Sequence, residues 1–113
     1  MEDCLFCKFV NGDIPVDKVF ENDDFIIIRD IAPMAKNHFL AIPKKHFKYL
    51  SEMTEDEKRQ LLNIFETIPA LKSLLNLENG YRLVINQGDD AGQTVPHLHI
   101  HILSGQKMGW QPA

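Results

Sequence analysis

Residues 95–103 read Val95-Pro96-His97-Leu98-His99-Ile100-His101-Ile102-Leu103, and three of the chain's five histidines fall in this run. The alternation is strict. A β-strand sends successive side chains to opposite faces, so a strand here puts His97, His99 and His101 on one face and Leu98, Ile100 and Ile102 on the other. The apolar set can enter a core. The imidazoles form a row of groups that titrate near neutral pH, attack electrophiles or bind metal. Alternate strand residues lie roughly 6.6 Å apart, which separates the outer two histidines by about 13 Å at Cα. One tetrahedral metal with bonds of about 2 Å does not readily gather all three. The histidines are therefore expected to divide labour. The plainer alternative, a solvated strand face, gives three aligned imidazoles no use.

With 113 residues, the chain is read as one domain, residues 1–113, large enough for a single core and small enough to gain from a dimer interface. An apolar fraction of 44% is ordinary for a globular chain. No apolar run approaches the roughly 18 residues of a membrane span, and Met1-Glu2-Asp3-Cys4 is not a signal peptide, so the expected location is the cytoplasm with no membrane partner. A net charge of −4 argues against a nucleic-acid partner; the cluster Lys44, Lys45, Lys48 is too short to change that. The only cysteines form Cys4-Leu5-Phe6-Cys7. A cytosolic disulfide is unexpected. A thioredoxin-like redox pair would need a preceding strand and a second βαβ signal, and neither is there. Half a zinc site is the better reading, with two more ligands to come from elsewhere, imidazoles being available.

Residues 4–11 read as a short helix with Leu5, Phe6 and Phe9 as its apolar stripe, ended by Asn11-Gly12-Asp13. Strands are expected over 18–21 and 25–30 around the turn Asn22-Asp23-Asp24, then over 39–43, 81–86 and 97–103. Thr54-Glu55-Asp56-Glu57 is a capping box that opens a long helix. Leu61, Leu62, Phe65, Ile68, Leu71, Leu74 and Leu75 continue its apolar face. Pro69 has no N–H for the carbonyl of Phe65, so a kink or break is expected near 66–69. Strands plus one long and one short helix, without regular βαβ alternation, give an α+β fold. The loop 87–94 is a polar, Gly-containing connector, which by itself reads as a turn; Gly92 permits close approach or positive φ, and Gln93 and the Thr94 hydroxyl lie beside it.

The segment His97-Leu98-His99-Ile100-His101-Ile102-Leu103 resembles the signature of the histidine triad (HIT) family, His-φ-His-φ-His-φ-φ with φ apolar. Gly92-Gln93-Thr94 resembles the family's Gly-Gln-Ser/Thr. Asp30-Ile31-Ala32-Pro33 and the segment His38 to His46 resemble its nucleotide-binding segment, and Met108-Gly109-Trp110-Gln111-Pro112 resembles the tail of the Hint branch, the nucleoside phosphoramidases. The resemblance runs essentially from end to end. It implies a HIT-like fold: a five-stranded antiparallel sheet with helices, paired into a homodimer.

It also implies chemistry. His99 would be the nucleophile toward the α-phosphorus of a nucleotide, its other ring nitrogen held by the backbone carbonyl of His97. His101 would hydrogen-bond phosphate oxygens, and His97 would stand behind the nucleophile. Asn86 would lie near the phosphate and leaving group, and His38 falls on the family's additional active-site histidine. Asp30 would take the ribose hydroxyls. Leu5, Phe6, Phe9, Ile28 and Ile31 would build an apolar slot for the base, and Trp110 would reach the partner's site. Members that keep both cysteines suggest Cys4, Cys7, His46 and His97 as the ligands of a closed, structural zinc; no organic cofactor is expected. The implied activity is hydrolysis of purine nucleoside phosphoramidates such as adenylyl-amines, with purine nucleoside monophosphate derivatives as ligands. Three rivals stand beside it: a diadenosine-polyphosphate hydrolase of the same family, which the Trp110 tail disfavours; a nucleotide-binding partner protein whose hydrolysis is incidental; and a catalytic metal hydrolase with the triad as ligands, which the strand geometry disfavours.

Overall fold

The computed structural model describes residues 4–110. The first helix, α1 (Leu5–Asn11), is capped by Cys4, whose Sγ accepts the N–H of Cys7, and is stopped by Gly12 at φ 80°. Glycine reaches that left-handed conformation without a Cβ clash. Five strands follow: β1 (Lys18–Glu21), β2 (Phe25–Arg29), β3 (Asn37–Pro43), β4 (Tyr81–Val84) and β5 (Ile100–Ser104). They form one antiparallel sheet in the order β1-β2-β3-β5-β4. Between β3 and β4 lies α2 (Glu55–Thr67). Its Thr54 hydroxyl accepts the Glu57 N–H while the Glu57 carboxylate accepts the Thr54 N–H, the reciprocal cap expected from sequence. The helix ends before Pro69 in a 3₁₀ turn (Ile68–Leu71) that leads into the single-turn α3 (Lys72–Leu75). The expected break is there: the long helix α2 ends at Thr67, and a 3₁₀ turn and one further helical turn carry the chain on.

The sheet separates two cores. Phe25 and Ile27, Phe39 and Ala41, and Ile100 and Ile102 face α2 and pack with Leu61, Ile64, Ile68, Leu75 and Leu98. The alternate residues Ile26, Ile28, Leu40 and Ile42 face α1 and pack with Cys4 and Phe6. Strand periodicity thus sends the apolar partners of the histidines under α2 and leaves the histidine face to α1. On α2 and α3 the expected apolar face is narrower than its sequence suggests. Leu62, Phe65 and Leu74 remain exposed, and Ile64 takes the central buried position.

Four of the five strands differ from expectation in their bounds, and β3 begins two residues early, at Asn37. Strand β2 stops at Arg29 and β4 at Val84. Only His101 of the three histidines lies in β5. Its ladder with β3 starts at Ala41↔Ile100, and ahead of that point the chain pairs elsewhere: Leu98 donates to Phe47 O at 2.7 Å and the His97 N–H to Val95 O at 2.8 Å. His97 and His99 sit just before the strand, in a segment held by the loop after β3. Replacing the cap with Thr54→Ala should cost about 1 kcal/mol in urea unfolding. An unchanged midpoint would show that α2 is held by packing alone.

Candidate active site

The histidines keep the alternation although only one is in the strand. Leu98, Ile100 and Ile102 are wholly buried on the α2 side. On the other side the rings of His99 and His101 lie 5.1 Å apart, and Phe6 of α1 sets its ring against His99 at 5.0 Å, edge to face. Across the sheet His101 pairs with Leu40 of β3, which pairs with Ile28 of β2.

Hydrogen bonds fix which nitrogen of each ring carries the proton. A carbonyl oxygen can only accept, and a backbone N–H can only donate. His97 Nε2 lies 2.8 Å from Pro43 O, so the proton is on Nε2 and the Nδ1 lone pair is free. His99 Nδ1 lies 2.8 Å from His97 O, so Nδ1 carries the proton and Nε2 is a bare lone pair. Met34 N–H donates to His38 Nδ1 at 3.0 Å, so the His38 proton is on Nε2, which faces His101 Nδ1 at 2.9 Å. His101 then carries its proton on Nε2. No buried side-chain nitrogen or oxygen lacks a partner among the described residues, yet neither His99 Nε2 nor His101 Nε2 has one. Both atoms therefore reach solvent. Two adjacent rings offer the surface a nucleophilic lone pair and an N–H donor.

The electrostatics favour the neutral rings that this pattern needs. Burial pushes His97 down to about 4, against its hydrogen bond to the Pro43 carbonyl. Burial, with His99 and His38 nearby, brings His101 down to about 4 against the pull of Asp30. Burial also lowers His99, opposed by the His97 carbonyl and Asp30, and lowers His38, opposed by Asp30.

Behind the histidines, four donors converge. Cys4 Sγ is 3.3 Å and Cys7 Sγ 3.6 Å from His97 Nδ1, and Cys7 Sγ is 3.3 Å from His46 Nδ1. All four atoms lie within 4.8 Å of one another. Zinc bonds of about 2.0–2.3 Å require donor–donor edges of about 3.3–3.8 Å, so the cluster fits a tetrahedral ion with little movement. The fit extends outward, because the Pro43 carbonyl holds His97 in the tautomer that turns Nδ1 toward the thiols. Burial and the neighbouring Cys4 raise the Cys7 thiol to about 11, so binding a cation there means displacing protons. Asp30, His38 and His101 form a second close group. It is a poor cation site, because the Met34 amide leaves the His38 proton on the nitrogen that would have to ligate. Within it His38 Nε2 is hydrogen-bonded to His101 Nδ1 at 2.9 Å, and Asp30 Oδ2 stands 3.4 Å from His38 Nε2.

The other expected site residues are placed unevenly. Phe6 is buried against His99, and Ile28 (buried) and Phe9 (half-buried) pack in the Phe6 cluster, whereas Leu5 is exposed and Ile31 is 99% exposed on the turn after β2. That turn is held by Asp30 Oδ1, which accepts the Ala32 N–H at 2.8 Å. The Gln93 side chain does not reach out toward a ligand. Its Oε1 accepts the Gly88 N–H at 2.8 Å and its Nε2 donates to Lys48 O at 3.2 Å, which ties the loop to the segment after β3. Gly92 sits at φ 80° and Thr94 is exposed on the same loop, while Asn86 is half-buried beyond β4. Trp110 is 93% exposed and lines a groove of about 390 Å³ with Arg82, Leu83, Val84 and Ile85 along β4. The Pro43 carbonyl and the Met34 amide escape sequence reading, because a backbone group carries no signature of its own.

A HIT domain model matches residues 11–108. An uncharacterized HIT-like protein of Synechococcus elongatus is 42% identical over 111 residues, covering 98% of this chain and 97% of that one. Among solved structures, a HIT family hydrolase from Legionella pneumophila superposes with a TM-score of 0.87 at 39% identity, covering 98% of this chain and all of the other. A histidine triad nucleotide-binding protein from Candida albicans gives a TM-score of 0.81 at 31% identity, covering 98% and 85%. The chain belongs to the HIT domain family.

A base whose folded pKa is depressed stays neutral while its unfolded form takes up a proton, so stability falls as pH drops from about 6.5 toward the folded value. For His101 that window runs down to about 4. The loss of stability between pH 7.5 and pH 5 should therefore be smaller in His101→Asn than in the wild type. Urea midpoints at the two pH values measure it, and equal losses would contradict a neutral buried His101.

Proposed function

We propose that the protein is a nucleotide hydrolase of the Hint branch that cleaves purine nucleoside phosphoramidates through a nucleotidyl-histidine on His99. The observation that carries this reading is the pairing of a bare His99 Nε2 with a His101 Nε2–H, neither engaged by another protein atom among the described residues. The His99 lone pair forms a bond to the α-phosphorus. The phosphorus–nitrogen bond of the substrate breaks, and its electron pair leaves on the amine, which takes a proton from solvent. Water then attacks phosphorus and gives a proton to solvent, the electron pair of the breaking His99–phosphorus bond returns to Nε2, and nucleoside monophosphate departs. His101 donates to a phosphoryl oxygen and stabilises charge as it builds there. Thr94, Gly92 and Asn86 surround the phosphate and leaving group, and Gln93 acts by holding their loop. Asp30 receives the ribose hydroxyls, and Phe6, Phe9, Ile28, Leu5 and Ile31 wall the base. The similarity to a hydrolase from Legionella and a nucleotide-binding protein from Candida supports the coarser part of this reading, a nucleotide hydrolase.

In this reading zinc fills the Cys4, Cys7, His46 and His97 cluster as a structural ion. The protein works as a homodimer in the cytoplasm, with Trp110 reaching the partner's site. The half-exposed apolar residues of edge strand β4 and the exposed Trp110 support that assembly.

His99→Ala should lose several orders of magnitude in kcat/KM toward adenosine phosphoramidate while still binding AMP. Retention of more than about a tenth of wild-type kcat/KM, a loss of only about 1.4 kcal/mol, would remove His99 as nucleophile. Zinc should copurify at about one ion per chain, and the double change Cys4→Ser with Cys7→Ser should abolish it and lower Tm. Elemental analysis finding no zinc in protein purified without chelators would reject the ion.

A further inference from the structure

The turn between β2 and β3 places one backbone donor where it can govern the site chemistry. The Met34 side chain is 69% exposed, yet its N–H points inward to His38 Nδ1 at 3.0 Å. The His38 ring is buried and spans the gap between that amide and His101, with Nε2 2.9 Å from His101 Nδ1. We infer that the Met34 amide, acting through His38, is a tautomer lock on His101 that keeps the His101 proton on Nε2, the nitrogen facing the phosphate. The inference rests on the proposed hydrolase reading for its functional meaning, though not for its chemistry.

The argument is one of obligatory donors. A neutral imidazole carries one proton and two nitrogens, and nothing intrinsic holds the proton on the useful one. An amide N–H cannot become an acceptor, so His38 Nδ1 must be bare and Nε2 protonated. That proton has two acceptors in reach, His101 Nδ1 at 2.9 Å and Asp30 Oδ2 at 3.4 Å, and the nearer one takes it. His101 Nδ1 is thereby an acceptor, and its proton can only be on Nε2. His101 is neutral over the relevant pH range, so a choice of tautomer exists to be made. Without the lock, His101 would spend part of its time with a lone pair aimed at a phosphoryl oxygen, which repels it. Ribose hydroxyls occupying Asp30 would remove the competing acceptor and tighten the lock. His38 and Met34 are positioning residues here.

Long-range nitrogen–proton NMR of ¹⁵N-histidine-labelled protein reads the tautomers directly. His101 in the wild type should show a protonated Nε2 and a bare Nδ1. Met34→Pro removes the amide hydrogen from an exposed position, and His38→Phe removes the relay while filling its volume. Each should give a mixture of His101 tautomers, whereas Met34→Ala, which keeps the amide, should leave the tautomer as in the wild type. In turnover of adenosine phosphoramidate, Met34→Pro should lower kcat about a hundredfold and KM little, the pattern of a donor lost from the transition state. A His101 protonated on Nδ1 in the wild type, or on Nε2 alone in both Met34→Pro and His38→Phe, overturns the lock. Should Met34→Pro not fold, His38→Phe decides alone. A wild type with the expected tautomers that does not hydrolyse phosphoramidates would sink the hydrolase reading and leave the lock standing.

Discussion

Everything at the histidine face is organised around His97, the one ring with no solvent exposure at all. Its Nε2–H binds the Pro43 carbonyl at the end of β3, its Nδ1 faces both cysteines at the start of α1, and its own backbone carbonyl holds His99 Nδ1. Three parts of the chain that are far apart in sequence thus meet on one residue. Burying an imidazole without partners would be costly. Here every polar atom of the ring is used, and the neutral form that burial enforces is the form those partners need.

The sheet makes this arrangement possible by keeping its two faces distinct. The α2 side takes the larger apolar cluster and makes the fold, so the α1 side is released to carry polar groups. The reactive nitrogens then differ by hydrogen bonding and not by residue type. His99 and His101 are the same side chain two positions apart. The first is turned into an acceptor by a carbonyl and the second into a donor by a relay that ends on an amide.

Much of this was legible in the residues. The period-2 run of apolar and imidazole side chains assigned the two faces correctly, the Thr54–Glu57 box started α2 at the right residue, and Pro69 marked its end. Cys4 and Cys7 were read as half a metal site, and the structure brings His46 and His97 to them. Legibility failed where tertiary pairing decides. The strand at the histidines begins three residues later than its pattern suggests, because the backbone of Leu98 is claimed by Phe47. Leu62, Phe65 and Leu74 look like core by spacing and stay outside, since the sheet contacts only a narrow stripe of the helices. The hydrogen bonds of the Gln93 amide to Gly88 N–H and Lys48 O also depend on tertiary placement that its sequence does not carry.

Cys4 occupies three positions at once: it caps α1, faces His97, and packs in the same cluster as Phe6. An ion held by Cys4 and a base lying against Phe6 would thus lean on the same first turn of one seven-residue helix. In the proposed reading, a shift of that turn made by one ligand would be felt at the contact of the other. Any such coupling would be reciprocal, metal changing the affinity for nucleotide by the same factor as nucleotide changes the affinity for metal.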